Sequence, residues 1–221
     1  MHAGWLTALD ADVPTGSGWL SPAELEVLDG LSVLKRRSDW RLGRWAAKRA
    51  VAAWLRCDVR QVEVVAADDG APEARVDGRP GPVSLSLSHR AGHALALVGE
   101  PGLPLGCDLE LVEPRSDAFV TTWLGAGEQR LVAEAPEPDR PRVANLLWSA
   151  KEAAAKARRQ GLRVDVRRAG VALGSPRSDG WAPMRVTWSE EGLETDGWWR
   201  EDGEFILTVA ASGPEPPQRL N

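Results

Sequence analysis

Apolar and polar positions alternate with a period of two in two stretches of the chain. Val83, Leu85 and Leu87 are separated by Ser84 and Ser86, and Leu105, Cys107, Leu109 and Leu111 by Gly106, Asp108 and Glu110. Such alternation predicts strands, the first ending at Ser88-His89 and the second turning Asp108 and Glu110 to one side. Further strands are predicted at residues 62–66, 93–98, 163–173, 184–188 and 205–211, and Arg90-Ala91-Gly92 closes the first strand and its successor into a hairpin. Three segments carry helical spacing. One opens at Ser21-Pro22, a cap followed by a first-turn proline, and holds Leu25 and Leu28. A second covers residues 39–55 with Trp40, Trp45, Val51 and Trp54, and a third covers residues 145–160 and closes at Gly161. The Pro- and Gly-rich connection at residues 100–104 divides the chain into an N-terminal α+β half, residues 1–103, and a C-terminal α+β half, residues 104–212. The tail, residues 213–221, is expected to be disordered.

Composition narrows the function class. The chain has 221 residues, 27 Lys plus Arg against 32 Asp plus Glu, and a net charge of -5, which gives no footprint for nucleic acid. Between Lys151 and Arg168, however, seven basic side chains stand against two acidic ones, a local excess suited to a polyphosphate or an acidic partner. Cys57 and Cys107 are too few for a disulfide framework or a zinc site, so a reducing, cytoplasmic compartment is expected. No apolar run approaches the ~20 residues that span a bilayer, so no membrane association is expected. Eleven tryptophans accompany two phenylalanines and no tyrosine. Most read as core, with one of the adjacent Trp198 and Trp199 turned to solvent.

Chemistry concentrates in the second alternating strand and the third helix. Trp148, Glu152 and Lys156 follow at four-residue spacing and share a stripe. With Asp108 and Glu110 they offer three carboxylates, hard ligands suited to magnesium, and one ammonium for phosphate. Either segment alone reads as solvated surface. A metal-dependent nuclease would use the same residue types, but usually with Glu and Lys two apart on a strand. Trp45-Ala46-Ala47-Lys48 and Trp148-Ser149-Ala150-Lys151 also share a Trp-x-Ala-Lys pattern, one in each half, which suggests an internal repeat.

The segments Leu105-Gly106-Cys107-Asp108-Leu109-Glu110 and Trp148-Ser149-Ala150-Lys151-Glu152-Ala153-Ala154-Ala155-Lys156 together resemble the paired signature of the 4'-phosphopantetheinyl transferases. The likeness is to the larger monomeric type that modifies carrier proteins of polyketide and nonribosomal peptide pathways. The resemblance implies two similar α+β halves about a pseudo-two-fold axis. It implies transfer of the phosphopantetheine arm of coenzyme A to a carrier-protein serine, with release of 3',5'-adenosine bisphosphate. Asp108, Glu110 and Glu152 would hold Mg2+ (or Mn2+), Glu152 would also act as base, and Lys156 would neutralise phosphate. Ser88-His89 resembles a Ser-His pair that meets the phosphates of coenzyme A. Arg44 and Lys48, four apart beside Leu42-Gly43, resemble a basic cluster for its 3'-phosphate. Gly70-Ala71-Pro72, where Ala71 replaces the usual basic residue, and Gly78-Arg79-Pro80, which keeps it but lies closer to Ser88, both resemble a turn that the family places near the adenine, and the choice between them stays open; apolar residues from Phe119 to Leu124 fall where relatives contact the carrier. A relative that binds coenzyme A or a carrier without turnover is the alternative.

Overall fold

A computed structural model describes residues 2–159, 165–189 and 192–221. The chain forms two compact units: Met1–Leu105 with Pro217–Asn221, and Gly106–Pro216. Each is a mixed α+β unit built on one principal sheet and one long helix.

In the first unit β1 (Ala3–Leu9), β5 (Ser84–Arg90) and β6 (His93–Gly99) form a sheet of order β12-β1-β6-β5, completed by β12 (Gln218–Arg219) from the far end of the chain. Two residues of the tail expected to be disordered thus form a strand. Leu220 donates its N–H to the Trp5 carbonyl at 2.8 Å, and its side chain fills the space that a Cβ on Gly4 would need. The β5–β6 hairpin turns through Ala91 and Gly92, both with positive φ, as the Arg-Ala-Gly sequence suggested. The long helix α2 (Leu34–Leu55) starts five residues earlier than its periodicity predicts and buries Leu42, Ala46, Ala47, Ala50 and Val51 in a core with Leu6, Leu85, Ala94 and Ala96. Gly43 permits that approach, since a Cβ there would lie 3.0 Å from Leu87 Cδ1. A small sheet of β2 (Val62–Ala66), β3 (Pro72–Val76) and β4 (Arg79–Pro80) lies beside them. Helix α1 (Pro22–Gly30) begins with the expected cap: Ser21 Oγ accepts from Glu24 N, and the Glu24 carboxylate accepts from Ser21 N.

In the second unit β7 (Leu105–Leu111), β8 (Ala169–Leu173), β9 (Ala182–Trp188), β10 (Leu193–Asp202) and β11 (Phe205–Ala211) form a sheet of order β7-β11-β10-β9-β8. Helix α5 (Arg140–Ala157) packs on it through Leu146, Ala150, Ala153, Ala154 and Ala157 against Ala182, Met184, Val186, Trp199, Ile206 and Ala210. Two short helices without a sequence forecast, α3 (Asp117–Trp123) and α4 (Ala126–Glu134), precede α5. Trp198 and Trp199 are both 7% exposed, so neither is turned to solvent. The expected helix end at Gly161 and strand start at Arg163 lie outside the described residues. Among the described residues no helix is long and apolar enough to cross a membrane.

The repeated Trp-x-Ala-Lys pattern corresponds to a repeated device. Lys48 on α2 is fully buried and pairs at 2.8 Å with Glu24, the third residue of α1. Lys151 on α5 is fully buried and pairs at 2.5 Å with Glu128, the third residue of α4, whose carboxylate also accepts from Gly125 N. In both units the long helix is pinned to the start of a short helix by the same buried ion pair.

Candidate functional site

Strand β7 and helix α5 place the acidic residues. Gly106 lies so close to α5 that a Cβ would overlap the carbonyl oxygen of Ala153. That approach brings the Gly106-Asp108-Glu110 face of β7 against the Trp148-Glu152-Lys156 stripe of α5, while Cys107 and Leu109 are buried. The alternation and the four-residue spacing thus meet as the sequence suggested. Lys156 Nζ donates to Asp108 Oδ1 at 2.7 Å and to the Cys107 carbonyl at 3.0 Å. Trp148 Nε1 donates to Glu110 Oε1 at 2.9 Å. Glu152 lies between these two contacts along the stripe.

The electrostatics follow from that packing. Burial is the largest influence on Glu152 and pushes its carboxyl up; Lys156 opposes the rise, Asp108 and Glu110 reinforce it, and the result is about 7. Burial also acts to lower Lys156, but Asp108, Cys107 and Glu152 together outweigh it and hold the ammonium above the ordinary lysine range. Lys156 is therefore a cation at neutral pH. That suits it to neutralise phosphate and not to accept a proton.

Among the described residues no three Asp, Glu, His or Cys side chains are already gathered as an ion cage. The donor chemistry nonetheless fits a hard divalent cation. Glu152 Oε1 is buried with no hydrogen-bond partner among the described residues, and it is flanked by two further carboxylates whose repulsion it feels. A cation would relieve both conditions.

Two residues that the periodicity missed complete this region. Arg115 Nη2 donates to Glu110 Oε2 at 2.7 Å, and its Nε donates to Asn145 Oδ1 at 2.6 Å. Asn145 is fully buried and fixed by its own amide nitrogen, which donates to the Glu113 and Pro141 carbonyls at 2.8 and 2.7 Å. The one hint was Arg115's place just after the acidic strand. Phe119 meets Trp148 edge-on and Trp123 meets it at a tilt, with ring centroids 5.4 and 5.1 Å away; Leu124 is 1% exposed, whereas Phe119, Val120 and Trp123 are half-buried.

In the first unit His89 and Arg44 share a region and Lys48 does not. A Cβ on Gly43 would lie 3.7 Å from His89 Cδ2, so His89 sits on the α2 side of β5 next to the residue before Arg44. Ser88 alternates to the other face of the strand. The Arg44 guanidinium stacks on Trp40 at 4.6 Å, its Nε is buried without a hydrogen-bond partner among the described residues, and burial lowers its pKa despite nearby Glu24. Lys48 was expected to bind phosphate from the same helix face, but with no exposure and Glu24 already paired it has no surface to offer. Of the basic run from Lys151 onward, Lys151 is buried against Glu128, Arg158 stacks on Trp188 at 4.8 Å, the exposed Arg167 and Arg168 pair with Asp165, and Arg163 lies outside the described residues.

Comparison with protein families gives two matches. Residues 104–193 match the model of the 4'-phosphopantetheinyl transferase superfamily, and residues 29–99 match that of the 4'-phosphopantetheinyl transferase N-terminal domain. The first span includes β7 and α5 from Asp108 to Lys156, and the second includes Arg44, Ser88 and His89. No curated protein matches the chain.

Proposed function

The chain belongs to the 4'-phosphopantetheinyl transferase superfamily, and from that premise we propose that it moves the 4'-phosphopantetheine arm of coenzyme A to a serine of an acyl or peptidyl carrier protein. The product besides the loaded carrier is 3',5'-adenosine bisphosphate. The observation that carries this reading is the meeting of Asp108, Glu110, Glu152 and Lys156 between β7 and α5. Asp108, Glu110 and Glu152 would hold Mg2+, with Mn2+ as a substitute, and the ion supplies charge neutralisation at the diphosphate.

The side chains carry the remaining work. Glu152 takes the proton of the serine hydroxyl as the oxygen forms its bond to phosphorus; its carboxyl is lifted to about 7 in the metal-free chain, and a bound cation would lower it. The bond to the adenosine-side phosphate breaks as that bond forms, and negative charge gathers on the departing phosphate. Lys156 stays protonated and donates to phosphate oxygens. In the first unit Arg44 and His89 are the candidates for phosphate binding, Arg44 with a buried Nε that has no partner among the described residues. A half-buried, stacked guanidinium suits a phosphate because its geometry is fixed before binding.

Incubation with coenzyme A, Mg2+ and several unmodified carrier proteins is expected to add one phosphopantetheine to a carrier, read by intact mass. Asp108→Ala and Glu152→Ala are expected to lower the rate by about 100-fold or more while thermal unfolding stays cooperative. No mass change across the carriers would reject the reading.

A further inference from the structure

The acidic cluster contains a cation that the signature does not. Arg115 and Glu110 are only 15% and 13% exposed in their side chains, so this is no solvated surface pair. The guanidinium is held on several sides: Nη2 by Glu110 Oε2 at 2.7 Å, Nε by Asn145 Oδ1 at 2.6 Å, Nη1 by Glu113 Oε1 at 3.5 Å, and its plane by the Phe119 ring at 4.6 Å. Asn145 cannot turn away without losing two backbone acceptors. The other Glu110 oxygen takes the indole N–H of Trp148, which lies three residues after Asn145 on α5. One donor from the loop after β7 and one from α5 therefore fix both oxygens of a single carboxylate.

We propose that Arg115 is a positioning residue that sets the orientation of Glu110 toward a divalent cation, with Asn145 as its anchor and Trp148 as the second donor. The inference rests on the metal-dependent reading above. Glu152 feels the charge of both Asp108 and Glu110, and each Glu110 oxygen accepts from a donor held by its own surroundings. Ligand carboxylates held by outer hydrogen bonds bind metal more tightly, and loss of one such partner typically weakens binding about 10- to 100-fold.

The discriminating variant is Arg115→Lys. A lysine keeps the positive charge and can reach Glu110, but its single nitrogen cannot span Glu110 and Asn145 as the guanidinium does. Mn2+ binding is measured directly by electron paramagnetic resonance on the full chain without coenzyme A or carrier. The Mg2+ concentration for half-maximal transfer and kcat at saturating Mg2+ are measured separately. Arg115→Lys and Trp148→Phe are each expected to raise the Mn2+ dissociation constant about 10-fold. The half-maximal Mg2+ concentration should rise in parallel, with kcat changing far less. Unaltered Mn2+ affinity in Arg115→Lys overturns the proposal, and so does a change confined to thermal stability or to the KM for coenzyme A. A wild-type chain that binds Mn2+ yet transfers nothing refutes the transferase reading and leaves the positioning test intact. A wild-type chain that binds no Mn2+ refutes the positioning role as well.

Discussion

At the scale of single residues the site is defined by a carboxylate that is uncomfortable without a counter-charge. Glu152 titrates near 7 in the folded chain and near 4.5 when unfolded, so between those values the folded state binds more protons. Its contribution to stability is therefore fully present below about pH 4.5 and is lost as pH rises through 7, at up to about 1.4 kcal/mol per pH unit. The metal-free protein is expected to melt at lower temperature at pH 8 than at pH 5.5, and Glu152→Gln should flatten that dependence. Millimolar Mg2+ should raise the melting temperature more at pH 8 than at pH 5.5; scanning calorimetry at both pH values checks the sign. That Asp108 and Glu110 share a strand face and Glu152 and Lys156 a helix face was legible in the sequence, through a period of two and a spacing of four. Arg115 was not, since it follows Pro114 in a segment with no period, and its anchor Asn145 lies thirty residues away.

At the scale of elements, spacing showed which residues share a helix face but not which face is buried. Arg44 and Lys48 are four apart, yet Lys48 is inside the core and Arg44 only partly covered. The deciding partner, Glu24, sits on another helix 24 positions earlier. Helix α3 has seven residues, too few for a period to register, and α4, although as long as α1, starts after Gly125 without the Ser-Pro cap that marks α1. Strand β10 was missed as a strand because both of its adjacent tryptophans are buried, which breaks the alternation by which a half-exposed strand is recognised. The repeated lysine proved informative in a different sense from the one its motif suggested. Burial lowers Lys151 and Glu128 works against that, as expected of a charge kept inside by its partner. Lys151→Met strands the Glu128 charge and is expected to destabilise by about 3–5 kcal/mol. Adding Glu128→Gln removes the stranded charge, keeps an acceptor for Gly125 N, and should restore most of the loss in urea unfolding. Recovery of transfer activity in the double variant would mark the pair as a fold device.

For the molecule as a whole, the mixed α+β character of both halves was readable from their alternating strands and long helices, whereas the ends of the chain were not. The polar tail offers no periodicity, and its strand exists only because the edge of β1 receives it, more than two hundred positions earlier: Gln218 pairs with Gly4 and Arg219 with Trp5. Arg219 also lies over the Trp5 ring at 5.2 Å. Removing residues 217–221 is expected to cost about 2 kcal/mol, from the Leu220 side chain and the lost strand bonds. Hydrogen exchange should then speed up in β1 while α5 keeps its protection. The same strand makes the second unit an insertion within the first. A ribosome delivers residues 2–105 and then must deliver the entire second unit before it supplies the piece that seals the opening sheet. A nascent chain paused anywhere before residue 217 therefore presents an unfinished edge at β1, and synthesis itself orders the closure of the two units from the inside out.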